Sequence, residues 1–379
     1  MVTVAQPQAP QRTATTATTT GTHRALATRH LGPNWYASVM GTAIIANAGA
    51  TLPVHLPGLR TACTAVWALS LLMLVALLGA RTLHWIHHRD QARAHLLDPA
   101  VAPFYGCLSM ALLAVGAGAL LVGEDWIGTG AAVALDTVLF AAGTAIGLAA
   151  AVAIPYLMVV KHRIEPGQAS PVWLLPVVAP MVSAAVGPLL VPHLPAGQPQ
   201  ETLLFACLAM FGLSLLTTLV MLPVIFARLL TGGPLPLALT PTLFLVLGPL
   251  GQSTTAANKF ADTAAAGVVP APYDQGFAVF AVLYGVPVMG FALLWLALAG
   301  AMVLRARRKG MGFAMTWWAF TFPVGTCVTG AEGLAKHTGL AVYDWLAVAL
   351  FVLLVAAWAV ALTQTLRGLL SGKLLAAPR

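Results

Sequence analysis

The sequence predicts an all-α membrane protein with ten transmembrane helices, arranged as five helical hairpins in a quasi-fivefold ring around a central pore. Three observations carry this expectation. Hydrophobic residues make up 59% of the chain and charged residues only 8%, a balance that no soluble domain of this length keeps in solution. Apolar runs of about 20 residues, the length that crosses a hydrocarbon core at about 1.5 Å per residue, recur along the chain. Finally, at intervals of roughly seventy residues, an aromatic residue opens five apolar stretches rich in glycine, proline and small polar side chains, a period long enough for two crossings.

The runs fall at 33–54, 61–80, 102–122, 130–160, 172–192, 202–227, 238–258, 275–304, 313–335 and 343–366, the first and ninth being the least hydrophobic. The odd-numbered runs open on Pro33-Asn34-Trp35, Pro103-Phe104, Pro171-Val172-Trp173, Pro241-Thr242-Leu243-Phe244 and Thr316-Trp317-Trp318. The third hairpin opens with Pro176, Pro180, Gly187 and Pro188, the fourth with Gly248, Pro249 and Gly251, the fifth with Pro323 and Gly325. Proline inside a helix removes a hydrogen bond and bends the axis, and the freed carbonyls need water, an ion or another partner. The even runs, such as Val66 to Ala80 and Leu346 to Leu362, are dominated by Ala, Leu and Val and read as ordinary helices facing lipid or other helices. Small, kinked helices around one axis leave a hole that large apolar side chains would fill.

A net charge of +8 invites a nucleic-acid reading, but the placement of the charges argues for a membrane instead. Of the 19 Lys and Arg, all but Arg60, Lys259 and Lys336 fall on one side of the predicted topology. By the positive-inside rule both termini are cytoplasmic and the protein sits in the plasma (inner) membrane with an even number of spans. Residues 1–30, rich in Thr, Ala and Gln and without an apolar h-region, read as a disordered cytoplasmic tail. Residues 31–367 form the transmembrane domain, and 368–379 a short cytoplasmic C-terminal tail. Cys63, Cys107, Cys207 and Cys327 lie inside predicted spans in no metal-ligand spacing and read as small buried residues. His84, His87 and His88 have helical spacing but sit among Arg81 and Arg89, so neither a metal nor a cofactor is expected.

Four segments carry a resemblance. Trp35 to Thr42, Pro171 to Pro180, Gly248-Pro249-Leu250-Gly251-Gln252-Ser253 and Trp317-Trp318-Ala319-Phe320-Thr321-Phe322-Pro323 together resemble the tellurite-resistance/dicarboxylate transporter family. That family includes bacterial tellurite-resistance proteins, fungal malate carriers and sulfite exporters, and plant slow anion channels. The resemblance covers about residues 30 to 367. It implies ten helices with the odd ones forming an inner ring around a pore, a homotrimer with one pore per protomer, and a pore-plugging phenylalanine in the ninth helix, which falls here at Phe322. The residues add an independent argument, because Pro323 follows Phe322 and a bend there can aim the ring at the axis. A benzyl ring in a narrow apolar constriction closes it sterically and by dewetting.

No Lys or Arg lies near the middle of an odd span, so anion selectivity must come from weaker donors. The pore-lining candidates are Gly41, Thr42, Ser109, Pro180, Ser183, Gly248, Gly251, Gln252, Ser253, Thr321, Pro323 and Thr326. Hydroxyls, amides and the positive ends of broken helices solvate an anion without trapping it. Asp136 and Glu332 are the acids within or near spans and are candidates for proton coupling. Both are expected near the external end of their helices, with Glu332 paired to Lys336 four residues on. The functions compatible with these features are a channel for small anions, a proton-coupled dicarboxylate carrier such as one for malate, and an exporter of sulfite or tellurite. An intramembrane enzyme is a distant alternative, since acids are few and no histidine sits mid-span.

Overall fold

The computed structural model describes residues 31–372 and 374, apart from His55 and Pro166. The predicted N-terminal tail lies outside the described residues, as does most of the C-terminal one. Among the described residues the chain is helical, with no strand. Ten helices of 13 residues or more follow one another: α1 Tyr36–Ala50, α2 Leu59–His87, α3 Gly106–Gly118, α4 Thr129–Val160, α5 Leu174–Val186, α6 Gln198–Gly232, α7 Leu247–Thr263, α8 Tyr273–Arg308, α9 Phe322–Thr338 and α10 Ala341–Leu370.

The two sets differ in length. The odd helices have 13 to 17 residues and the even ones 29 to 36. Each odd helix is short because a 3-10 segment precedes it: Pro33–Trp35, Ala102–Tyr105, Pro171–Trp173, Leu237–Val246 and Met315–Phe320. These are the five openings that the sequence repeats. Proline fits there because its fixed φ and missing N–H cost little in the first turn of a helix. The fifth segment lacks proline, and its helix restarts after Thr321 with Pro323 in the first turn instead. At their other ends α3 and α7 loosen into π-helical turns, Ala119–Gly123 and Ala264–Val268.

Seven of the ten predicted spans are long and apolar enough to cross a membrane; those of α1, α7 and α9 are not. The physical reason lies in their neighbours. The most apolar windows of the spans containing α3 and α5 are 89% buried by protein, against 22 to 33% for the five even helices. A helix enclosed by other helices does not need an apolar surface, so α7 can carry Gln252, Ser253, Thr254, Thr255 and Asn258, all buried. The even helices overrun their predicted ends. Because α2 continues to His87, Arg81 belongs to the helix and not to the loop: it is buried, donating to the Leu31 carbonyl and, at 3.3 Å, to the Tyr105 hydroxyl. Similarly, α10 runs to Leu370, into the predicted C-terminal tail.

The odd helices touch in a closed circuit, α1 with α3, α3 with α5, α5 with α7, α7 with α9 and α9 with α1. Each packs as well against the even helix that follows it. Close approach is enforced at points such as Gly106, where a Cβ would sit 2.4 Å from the Leu175 carbonyl oxygen. Indole hydrogen bonds tie the layers together. Trp67 Nε1 on α2 donates to Val115 O of α3 at 3.0 Å, Trp295 on α8 to Leu243 O at 2.9 Å, and Trp358 on α10 to Thr42 Oγ1 at 3.1 Å.

Replacing Trp67, which is fully buried, by Phe removes one of these ties and some packing. It should cost about 1–2 kcal/mol, read as a lower melting temperature of the purified protein in detergent. An unchanged melting temperature would mean that the indole bond contributes nothing.

Candidate functional site

Two cavities lie at opposite ends of the circuit of odd helices. The one beside the start of the described chain has a volume of about 570 Å³ and is lined by residues at the openings of all five odd helices, among them Asn34, Phe104, Trp173, Leu239 and Thr316, together with Arg228. The other, at the far ends of the same helices, measures about 310 Å³. It is bounded by Ile44, Asn47 and Thr51 from α1 and its end, Ala117 and Leu121 from α3 and its π turn, and Ala185 and Val186 from α5. From α7 come Gln252, Thr255, Asn258, Lys259 and Asp262, and from α9 Thr329, Glu332, Gly333 and Lys336.

Between the two levels stands Phe322. It is 3% exposed and opens α9, following the 3-10 segment whose Thr316 lines the first cavity and preceding Thr329, which lines the second. Thr329 lies about two helical turns beyond Phe322 and Lys336 about two beyond Thr329, so the three share one face of α9. On α7 the matching face runs through Gly248, Gln252 and Thr255. Gly248 is buried, yet no atom of another element lies within 4 Å of the point where a Cβ would be. It therefore faces open space inside the protein.

The other sequence candidates are placed differently. Thr42 donates to Ser38 O at 2.8 Å and accepts the Trp358 indole, so its hydroxyl serves the contact with α10. Ser109 donates to Gly143 O of α4 at 2.6 Å, and Ser183 accepts from Thr144 of the same helix at 2.9 Å. Ser253 donates to Leu250 O at 3.1 Å, Thr321 to Trp318 O at 2.7 Å and Thr326 to Pro323 O at 2.7 Å. At Gly41 a Cβ would meet Thr321 and Trp318, and at Gly251 the backbone nitrogen of Cys327. Both glycines serve close helix contacts. Pro180 is buried inside α5, and Pro323 occupies the first turn of α9. Of the candidates, the far cavity brings together Gln252 and Glu332.

The two acids part company. Asp136 is fully buried on α4, beside Gly116, with no partner for either carboxylate oxygen. It does not reach water, as its position near a helix end had suggested, because α3 and its π turn cover it. Glu332 does line a cavity, but it is not paired with Lys336. That ammonium group lies 2.6 Å from Asp262 of α7, and Glu332 Oε2 instead accepts from Thr51 Oγ1 at 2.5 Å. Lys259 Nζ and His337 Nε2 also approach Asp262, at 3.9 and 3.2 Å. In the histidine group, His84 is buried and stacked on His95 at 5.6 Å, while His87 is exposed.

Sequence reasoning missed Asn47 and Asn258. Asn47 donates to Ala114 O at 3.0 Å and Asn258 to Thr254 O at 2.8 Å, leaving the Oδ1 atom of each without a partner. A carboxamide within an apolar span was the available signal, since such groups face the protein interior or a hollow.

The family profile described as a voltage-dependent anion channel, SLAC1, matches residues 30–366. Among curated proteins the chain is similar to two uncharacterized transporters of Methanocaldococcus jannaschii. It is 28% and 26% identical to them over 343 residues, which covers 90% of this chain and 94% and 95% of theirs. It is also 26% identical over 350 residues to the sulfite efflux pump SSU1 of Arthroderma otae, covering 90% of this chain and 91% of that protein.

The two glycines of α7 should behave oppositely. Gly251→Ala forces the backbones of α7 and α9 apart and should destabilise the protein by about 1–3 kcal/mol, whereas Gly248→Ala should leave the melting temperature in detergent close to that of the parent. Equal losses in both would show that Gly248 is packed like its neighbour.

Proposed function

Because the chain belongs to the SLAC1 voltage-dependent anion channel family, we propose that it carries small anions across a membrane through a conduit enclosed by α1, α3, α5, α7 and α9 and closed at Phe322. In this reading the ten helices form a quasi-fivefold ring of hairpins, with the even helices facing lipid. The observation that carries it is Gly248, a buried residue facing open space, on a closed circuit of helices with a cavity at each end. A solid protein core would have filled that space with side chains.

The donors suit a weakly held anion. The far cavity offers the ammonium groups of Lys259 and Lys336 and the Gln252 side-chain amide, while the Thr255 and Thr329 hydroxyls on its wall bond to each other and to backbone carbonyls. No fixed cation lines the middle of the path, so an anion is drawn in by the rim charges and crosses with partial hydrogen bonding only. In this reading the buried Phe322 ring closes the conduit between the two cavities, which takes only one apolar side chain. On the same reading the end beside the start of the described chain is cytoplasmic, which the excess of Lys and Arg in the loops on that side supports by the positive-inside rule, and the far cavity is external. A homotrimer in the plasma (inner) membrane, one conduit per protomer, is the assembly that fits the family resemblance.

Sulfite belongs among the cargoes because the fungal relatives are named as sulfite efflux pumps; malate-like dicarboxylates and tellurite are the competing anions. Glu332, on the cavity wall, is the acid placed to meet a cargo. Asp136, on α4 where it packs against α3 and part of neither cavity wall, is the second candidate for proton coupling. No step of this reading makes or breaks a covalent bond.

Flux of chloride, nitrate, sulfite and malate into liposomes containing the purified protein tests the reading. Phe322→Ala should raise the flux of the carried anion by roughly tenfold, and Gly248→Leu should suppress it. Normal insertion with flux unchanged by either substitution would remove the conduit from this position.

A further inference from the structure

The far cavity distributes its charges unevenly. Two ammonium groups, Lys259 and Lys336, share it with two carboxylates, Asp262 and Glu332. Asp262 takes both ammonium groups, Lys336 at 2.6 Å and Lys259 at 3.9 Å, and the His337 imidazole lies 3.2 Å from it as well. Among the described residues no cation lies within ion-pair distance of Glu332. Its Oε2 has the Thr51 hydroxyl, and its Oε1 is buried without a partner.

The positive charge that the elements packed around Glu332 still bring to bear on it is Lys259, beyond ion-pair distance. Toward it α7 presents Lys259 and Asp262, α9 itself Lys336 and His337, and α1 the uncharged Thr51. Gly285 and Met289 of α8 meet α9 without an ionisable group, and Tyr343 and Asp344 in the first turn of α10 are not part of the cavity wall. Three residues of the wall also carry amide oxygens that are buried without a partner. Asn47 Oδ1, Asn258 Oδ1 and Gln252 Oε1 are all acceptors without a donor. For the two asparagines this orientation is fixed, because each amide nitrogen donates to a backbone carbonyl.

An ionised Glu332 on the cavity wall, with no cation at ion-pair distance, repels an anion. The same wall with a proton on Glu332 has one donor more and one negative charge fewer, and its two ammonium groups then outnumber the single remaining carboxylate. We infer that the far cavity is a joint proton and anion site, in which Glu332 takes a proton from the adjoining solvent on Oε1, keeps the Thr51 hydrogen bond on Oε2, and only then admits the anion. The proton is not consumed; it is released to solvent when the anion leaves. This inference rests on the conduit reading, since it assigns the regulation of the same path.

The test uses full-length protein in liposomes, with chloride and nitrate as probes, because neither titrates between about pH 5 and pH 8. When the pH on the side of the far cavity is lowered from about 7.5 to about 5.5, flux through the parent protein should rise roughly fivefold or more. Glu332→Gln, neutral at every pH, should hold the high flux throughout that range, and Glu332→Asp should restore pH dependence. Lowering the pH on the opposite side alone should have no such effect. Flux that ignores pH in the parent protein, or a pH response that survives in Glu332→Gln, overturns the inference and leaves the conduit standing. Absence of flux of either anion at all pH values, in correctly inserted protein, overturns the conduit and the inference together.

Discussion

In a medium without water, a hydroxyl, an amide or a backbone carbonyl must find its partner inside the protein, and the helices of this chain divide by how they meet that demand. The even helices meet it by being regular and apolar, with exposed Leu and Val along their surfaces. The odd helices could not: they are short, open in 3-10 segments and carry polar side chains. They are tolerated because the even helices surround them, with tryptophan indoles reaching across to their carbonyls and hydroxyls. The hollow at Gly248 and the cavities at the two ends follow from the same arrangement, since a helix shielded from lipid is free to leave space on its inner side.

Much of the fold was legible because its signals are local. An aromatic residue at roughly seventy-residue intervals marks the five 3-10 openings, and in the first three a proline at the start reinforces the signal because it suits the first turn whatever surrounds it. The run lengths gave the order of the helices, although not their ends, because α2 and α10 continue into the basic segments. The site was less legible. Whether Thr42, Ser109 or Ser183 turns inward depends on the rotation of each helix about its own axis, and small polar residues occupy both sides of these helices. Their hydroxyls satisfy neighbouring helices.

The pairing of Glu332 illustrates the same limit. Four residues separate it from Lys336, a spacing that favours an ion pair on an isolated helix. In the folded protein Asp262 of α7 stands closer to that ammonium group, and Lys259 and the His337 imidazole approach the same carboxylate, so a tertiary contact displaces the local one. The consequence is chemical: one carboxylate of the far cavity is neutralised by its neighbours, and the other is left to a single hydroxyl. No reading of a single helix could have separated their roles.

The central claim is that water reaches the inner faces of the odd helices while the even helices meet lipid. Thiol accessibility tests it most directly, because the four native cysteines are all buried. With Gln252→Cys on the wall of the far cavity and Leu216→Cys on α6, where the native side chain is 65% exposed on the outer surface, a charged, membrane-impermeant thiol reagent is applied to the protein in liposomes. The account predicts that the first variant is modified and loses flux as it reacts, and that the second stays inert. Rapid labelling at position 216 with none at 252 would contradict it, for the hydrophilic surface would then lie on the outside of the ring.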